Sequence, residues 1–221
     1  MQPGPSNLSR IGRVQFAMTY LFKNGHRLEA FSDGVFAIAI TLLILEIHVP
    51  SAEGAGTPTL LWQALLARWP SYLALLISFA TIMIAWIGHH ILLQQLGTVS
   101  RTLVWINALF LLLITVIPFT TALVAEHLTH PSGRVAAAVY ASVNAINCLT
   151  YLMLARVGRT ASPESDGILR FASTNSLIGL ALCGAAIVLA FFSPVWSLVL
   201  AALTWLSWAF PRPSDRADRP A

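Results

Sequence analysis

The chain has 221 residues, of which 57% are hydrophobic and only 10% are charged. Ordinary soluble domains are about 25% charged, so the composition excludes an ordinary water-soluble fold and predicts an integral membrane protein. The net charge of +4 could suggest nucleic-acid binding, but the basic residues lie in short loops and tails and form no basic face interleaved with aromatic residues. We therefore expect no nucleic-acid partner.

Six apolar segments follow one another along the chain, each close to the roughly 20 residues that span a bilayer. Residues 1–26 precede them as a predicted cytosolic segment, in which 14–22 are too few to span and favour an interfacial or cytosolic helix. Residues 211–221 are rich in proline and charge and predict a disordered cytosolic tail. The prediction is an all-α domain of six transmembrane helices within 27–210. Its segments are approximately 30–49, 70–93, 102–125, 134–155, 168–191 and 194–210.

The positive charges orient this predicted bundle. An even number of spans puts both termini on one side, and that side holds eleven of the 13 Lys and Arg residues, against Arg68 and Arg134 on the other side. Cytosolic loops of membrane proteins carry the excess of Lys and Arg. The sequence therefore predicts a multi-pass protein of the cell membrane with both termini cytosolic. We find no internal repeat, so a transporter built from two halves of one chain is not supported.

Polar residues at four separate helix ends are predicted to meet at the cytosolic level of the bundle. The first segment opens with RLEAFSD (27–33), the second ends with WIGHH (86–90), the third opens with RTLVWIN (101–107) and the fifth with RFASTNS (170–176). Ionisable groups at this depth are costly unless they are paired, so we expect a hydrogen-bonded network. Its candidate members are Arg27, Ser32, Asp33, Trp86, His89, His90, Asn107 and Asn175.

The sequence leaves open both the partner of Asp33 and its role. Arg27 lies about 600° away around a helix, so the two do not share a face, and Asp33 is expected to pair with His89 or with a hydroxyl or amide of a neighbouring helix. The network either caps helix ends and locks the bundle, or takes part in transport, as intramembrane ionisable residues often do. No metal site is predicted at His89 and His90, because no Cys or carboxylate accompanies them at ligand spacing.

Beyond Asp33 the first helix presents an aliphatic face. Gly34, Ile38, Thr41 and Leu45 follow i, i+4, i+7, i+11 spacing, and Leu42 lies beside them. Such a face fits helix packing or lipid contact. It fits equally well a pore wall whose hydrophobic rings gate by dewetting or by size. Periodicity does not separate these two interpretations.

Three motifs occur together in the first half of the chain. RxxxFSD is present as Arg27, Phe31, Ser32 and Asp33, followed by WPSYLALLISFATIMIAWIGHH (69–90) and NALFLLLITVIPFTTAL (107–123). This combination resembles the prokaryotic TMEM175 potassium channels. The resemblance covers the first three segments well and the last three only through length and hydropathy.

The resemblance implies a homotetramer of six-helix subunits, in which the first helix of each subunit lines a central pore; the chain has no TVGYG-type filter. In the family, the narrowest ring is an aliphatic residue five positions after the motif aspartate, which is Ile38 here. Further pore-lining positions fall on Thr41, Leu42 and Leu45. The implied permeant ion is potassium, with the bilayer and other copies of the chain as partners and no cofactor. The implied motif network is Arg27, Phe31, Ser32, Asp33, Trp86 and His89, with Asn107 as a further member.

Two other functions compete with a channel as interpretations of these residues. A secondary or proton-coupled transporter would use Asp33 and His89 as a relay, but the chain shows no paired helix breaks, and Pro118 is isolated. A membrane enzyme would need more than Asp33, His89 and His90, because no nucleophile, metal set or second carboxylate accompanies them. The sequence therefore predicts a passive, potassium-permeable channel and no enzyme.

Overall fold

The computed structural model describes residues 25–96, 99–161 and 166–209. Within these ranges the chain forms seven α-helices joined by short connections. The predicted short helix at 14–22 and the tail at 211–221 lie outside the described residues. The helices are α1 (Gly25–Leu42, continued by the 3-10 turn Leu43–Glu46), α2 (Pro58–Ala67), α3 (Trp69–Gln94), α4 (Arg101–His127), α5 (Gly133–Ala161), α6 (Asp166–Ala190) and α7 (Pro194–Ala209).

Five of these helices are long and apolar enough to cross a membrane: α1 with its 3-10 turn, α3, α4, α5 and α6. They correspond to the first five predicted segments. The sixth segment is α7, which has 16 described residues and is shorter than a standard span. Helix α1 begins at Gly25 instead of near residue 30, so the whole of RLEAFSD lies within its first turns.

Helix α2 was not predicted, because its residues were left between the first two apolar segments. It has clear start signals: the Thr57 hydroxyl accepts a hydrogen bond from the Leu60 amide at 3.3 Å, and Pro58 occupies the first turn. Both are favoured at helix N-termini. With 10 residues, α2 is too short to span a bilayer.

Two apolar clusters hold the bundle together. One joins α1, α3, α4, α5 and α6 around residues such as Phe36, Ile82 and Phe110. The other lies at the opposite end of the bundle and joins α3, α4, α5, α6 and α7 around residues such as Tyr140 and Leu198. It contains no residue of α1. Among the described residues, helix α1 packs mainly against α3 and α4.

Hydroxyl groups link three helices inside the bundle. Thr121 donates to Ser78 at 2.6 Å, and Ser78 donates to the Tyr140 hydroxyl at 3.4 Å, which connects α4, α3 and α5. All three side chains are buried. Such bonds between membrane helices each contribute about 0.6 kcal/mol on average. Sequence patterns gave no sign of this connection.

At Gly179, α6 packs closely against α5 and α7. A Cβ atom on Gly179 would lie 2.9 Å from the Cys148 sulfur and 2.9 Å from a Thr204 methyl. Gly179→Val should therefore destabilise the bundle by about 1–3 kcal/mol through overpacking. The thermal midpoint of the detergent-solubilised protein checks this, with Gly184→Val as the matched control, because a Cβ at Gly184 meets nothing within 4 Å. Equal midpoints for the two variants would contradict the close packing.

Candidate functional site

Helix α1 has one buried face and one exposed face. Leu28, Ser32, Phe36, Ala39 and Leu43 are buried at helical spacing against α3 and α4. Ser32 is the single polar residue in this buried row, and its side chain is fully enclosed. A polar group in such surroundings needs partners.

Ser32 starts a hydrogen-bonded chain through three helices. Its hydroxyl donates to the Leu28 carbonyl at 2.8 Å and accepts from the Asn107 amide nitrogen at 3.2 Å. The Asn107 amide oxygen lies 2.6 Å from His89 Nε2. The amide nitrogen of Asn107 faces Ser32, so it is the amide oxygen that faces His89. An amide oxygen can only accept, and His89 is therefore assigned its proton on Nε2. The chain fixes the rotation of α1 relative to α4 and α3.

Aromatic rings enclose the His89 imidazole. It stacks on Phe110 with ring centres 5.4 Å apart and planes 9° apart, and it lies 5.4 Å from the Phe36 ring. His89 is fully buried. Its second nitrogen, Nδ1, has no hydrogen-bond partner among the described residues. These surroundings hold the ring in one orientation.

Asp33 pairs with an indole and not with His89. The Trp86 Nε1–H donates to an Asp33 carboxylate oxygen at 2.8 Å. The two expected kinds of partner, His89 and a hydroxyl or amide of a neighbouring helix, are therefore both wrong; His89 lies on the side of α3 that faces Asn107 of α4. Trp86 lies almost one turn earlier, on the side of α3 that faces α1.

A second contact between α1 and α3 lies one turn closer to the start of α1 and the end of α3. His90 stacks on the Trp86 ring with centres 5.6 Å apart, and its Nδ1 lies 2.9 Å from Glu29. The Gln94 amide nitrogen is 2.8 Å from His90 Nε2. Glu29 and Asp33 thus face His90 and Trp86 across two antiparallel helices. Glu29 was not among the predicted members, although its spacing of four residues from Asp33 is the signal that could have indicated it.

Three predicted members lie outside the polar cluster, by which we mean the bonded residues Ser32, Asn107, His89, Asp33, Trp86, Glu29 and His90. They are Arg27, Phe31 and Asn175. Arg27 and Phe31 are exposed and line an open cavity of about 300 Å³ beside Asn107. Within the described ranges, Arg27 forms no ion pair with Asp33, as their different helix faces predicted. Asn175 is buried on α6, and no hydrogen bond between described residues joins it to Asn107 or Ser32.

The exposed face of α1 continues from Phe31, which is 64% exposed. Ile38 is 61% and Leu45 68% exposed, and Gly34, Thr41 and Leu42 are exposed in the same stripe. The Thr41 hydroxyl donates to the Ile38 carbonyl at 2.8 Å. No residue from Gly34 to Leu45 is ionisable. The described part of the chain thus leaves an uncharged stripe of α1 uncovered, on the face opposite the one that packs against α3 and α4.

The fold and the cluster define the class of the protein: an α-helical integral membrane protein whose first helix is held from one side and open on the other. A sequence profile described as "Endosomal/lysosomal potassium channel TMEM175" matches residues 27–118, which contain the whole cluster. A potassium channel of Streptomyces collinus is 39% identical to the chain over 88% of its length and 98% of the relative. The chain belongs to the TMEM175 family, whose members are ion channels and not enzymes.

Two further relatives come from Chamaesiphon minutus. A potassium channel of that organism is 52% identical over 53% of the chain, and the matched region spans 57% of the relative. The crystal structure of a lysosomal potassium-selective channel TMEM175 homolog from Chamaesiphon minutus superposes with a TM-score of 0.77 at 37% identity, covering 88% of this chain and 98% of the other. The likeness therefore extends beyond the first helices to the later ones, for which the motifs gave no information.

Proposed function

We propose that the chain is one subunit of a passive potassium channel whose pore is enclosed by α1 of several copies. The observation that carries this proposal is the uncharged stripe of Ile38, Thr41, Leu42 and Leu45, which is exposed on a helix anchored from its other face. The relatives named as potassium channels support the same ion.

Four copies suit this arrangement. One helix cannot enclose a water path, whereas a ring of identical subunits with closed rotational symmetry can. We propose a homotetramer in the cell membrane, with α7 as a sixth span and both termini cytosolic. The described arginines support this orientation: Arg27, Arg101, Arg156, Arg159 and Arg170 lie at the end of the bundle that holds the cluster, and Arg68 and Arg134 lie at the other end.

Ile38 forms the proposed constriction. A ring of isoleucine side chains offers an ion no ligands, so passage depends on the cost of removing water, which is lower for potassium than for sodium. Thr41 lies one turn further along α1, and its hydroxyl proton is directed to the Ile38 carbonyl. The Thr41 oxygen is therefore left with lone pairs that can replace part of the lost hydration.

The polar cluster has a positioning role in this proposal. Ser32, Asn107 and His89 fix α1 against α4 and α3, and Trp86 with Asp33 fixes its distance from α3. A proton relay from Asp33 to His89, as a proton-coupled transporter would need, is less well supported. The two residues have different partners, and no hydrogen bond in the described part of the chain joins them.

Reconstitution in liposomes tests the channel directly. The purified chain should carry a potassium current that follows the electrochemical gradient and requires no second ion. Ile38→Trp should abolish most of this current by filling the constriction. Ile178→Trp should leave it intact, because Ile178 is also an exposed isoleucine but lies on α6, away from α1. Absence of potassium current above protein-free liposomes would refute the proposal, as would potassium uptake that depends strictly on a proton gradient.

A further inference from the structure

A cavity of about 230 Å³ lies between the end of α3 and the start of α6, and Tyr151 of α5 also lines it. Its other walls are hydrocarbon side chains, among them Ile87, Ile91, Ile168 and Phe171. The Tyr151 hydroxyl is used internally, donating to the Gly88 carbonyl at 2.7 Å. The cavity therefore suits an apolar occupant.

The cavity opens on the outer surface of the bundle. Ile87, Ile91 and Ile168 line it and are themselves well exposed, so they form its mouth. None of its lining residues belongs to α1 or α4. It is thus separate from the polar cluster and from the stripe proposed to line the pore.

Two arginines pair with Asp166, which lies two residues before Ile168 of the mouth. Asp166 accepts from Arg159 Nε at 2.7 Å through one oxygen and pairs with Arg170 Nε through the other. One carboxylate cannot neutralise two guanidinium groups, each of which has five N–H donors. Arg170 stands between two residues of the cavity wall, and its side chain is 67% exposed. In the sequence, residues 156–170 carry three arginines against Glu164 and Asp166 and keep a net positive charge.

We propose that this cavity binds an acyl chain of an anionic membrane phospholipid whose phosphate is held by Arg170. An apolar cavity open to the bilayer, with surplus guanidinium charge at the helix end, matches both parts of such a lipid. Basic pockets between membrane helices bind anionic headgroups, and guanidinium binds phosphate through paired N–H donors. The bilayer supplies this ligand directly. The inference depends on membrane insertion and not on potassium conduction, so each can fail without the other.

Lipid retention by the full-length chain tests the site. After reconstitution in an equal mixture of phosphatidylglycerol and phosphatidylcholine, and extraction in mild detergent, native mass spectrometry counts the lipids bound per chain. The wild type should retain phosphatidylglycerol about fivefold over phosphatidylcholine, the ratio expected for one basic residue near an anionic headgroup. Arg170→Gln should remove this preference. Arg134→Gln, which removes the same charge at the other end of the bundle, should preserve it.

A second pair of variants tests the apolar part. Ile168→Trp should reduce the retention of both lipids by filling the mouth, whereas Ile178→Trp should not, although the two isoleucines are 43% and 45% exposed on the same helix. If Ile168→Trp fails to fold, Ile91→Phe tests the opposite wall.

Three results would overturn the proposal. The first is equal retention of the two lipids by the wild type, and the second is retention that the variants at the mouth leave unchanged. The third is efficient crosslinking of Ile168→Cys to another copy of the chain, which would make the cavity an interface between subunits. Both native cysteines are buried, so such a crosslink would be specific to position 168.

Discussion

Ile38→Asn is expected to lower the potassium-over-sodium permeability ratio about tenfold. In our proposal the channel prefers potassium because the isoleucine ring offers no ligands to the ion. Removing water then costs more free energy for sodium than for potassium. An asparagine amide would return one hydrogen-bonding group per subunit, with a net value of up to about 1.5 kcal/mol, and 1.4 kcal/mol corresponds to about tenfold in a ratio. The reversal potential under potassium on one side and sodium on the other measures this change.

The control for this prediction is the same substitution at a similar surface. Ile178→Asn places the amide on an exposed position of α6 and should leave the reversal potential unchanged. Ile38 is itself 61% exposed, so its replacement removes little packing within the subunit. An unchanged permeability ratio in Ile38→Asn would remove Ile38 from the constriction. Equal shifts in both variants would indicate a general loosening of the bundle.

Asn107→Leu is expected to lower the thermal midpoint of the assembled protein and to reduce conduction. It breaks both hydrogen bonds of the buried amide, leaving His89 Nε2 and the Ser32 hydroxyl without their partner on α4. The loss should be about 1–3 kcal/mol, since bonds between membrane helices are worth about 0.6 to 1.7 kcal/mol each and orphaned buried groups add a further cost. Fluorescence-detected gel filtration after heating measures the midpoint and the assembled fraction together.

Asn147→Leu is the matched control. Asn147 is as buried as Asn107, but neither atom of its amide has a hydrogen-bond partner among the described residues. Replacing it removes a polar group without breaking a bond there, and the midpoint should stay the same or rise. Equal losses in both variants would mean that the bonds of Asn107 do not anchor α1.

The sequence predicted which residues lie in the candidate site better than it predicted their contacts. Topology alone placed Ser32, Trp86, His89 and Asn107 at one level, and the structure joins them through α1, α3 and α4. Topology did not predict which side chains pair: Asp33 bonds to Trp86 and not to His89. Arg27 was expected in the network, but its side chain lies beside an open cavity instead.

The sequence by itself determined that this is a helical membrane protein, where five of its spans lie, and which end of the bundle collects the polar residues. These are properties of single stretches, because about 20 apolar residues suffice to define a span whatever they pack against. Only the tertiary structure decided which side chains pair, that Glu29 meets His90, and which face of α1 stays open. Those features depend on the rotation and register of two helices. That geometry is set by packing around Phe36 and Phe110 from distant parts of the chain, which no local pattern records.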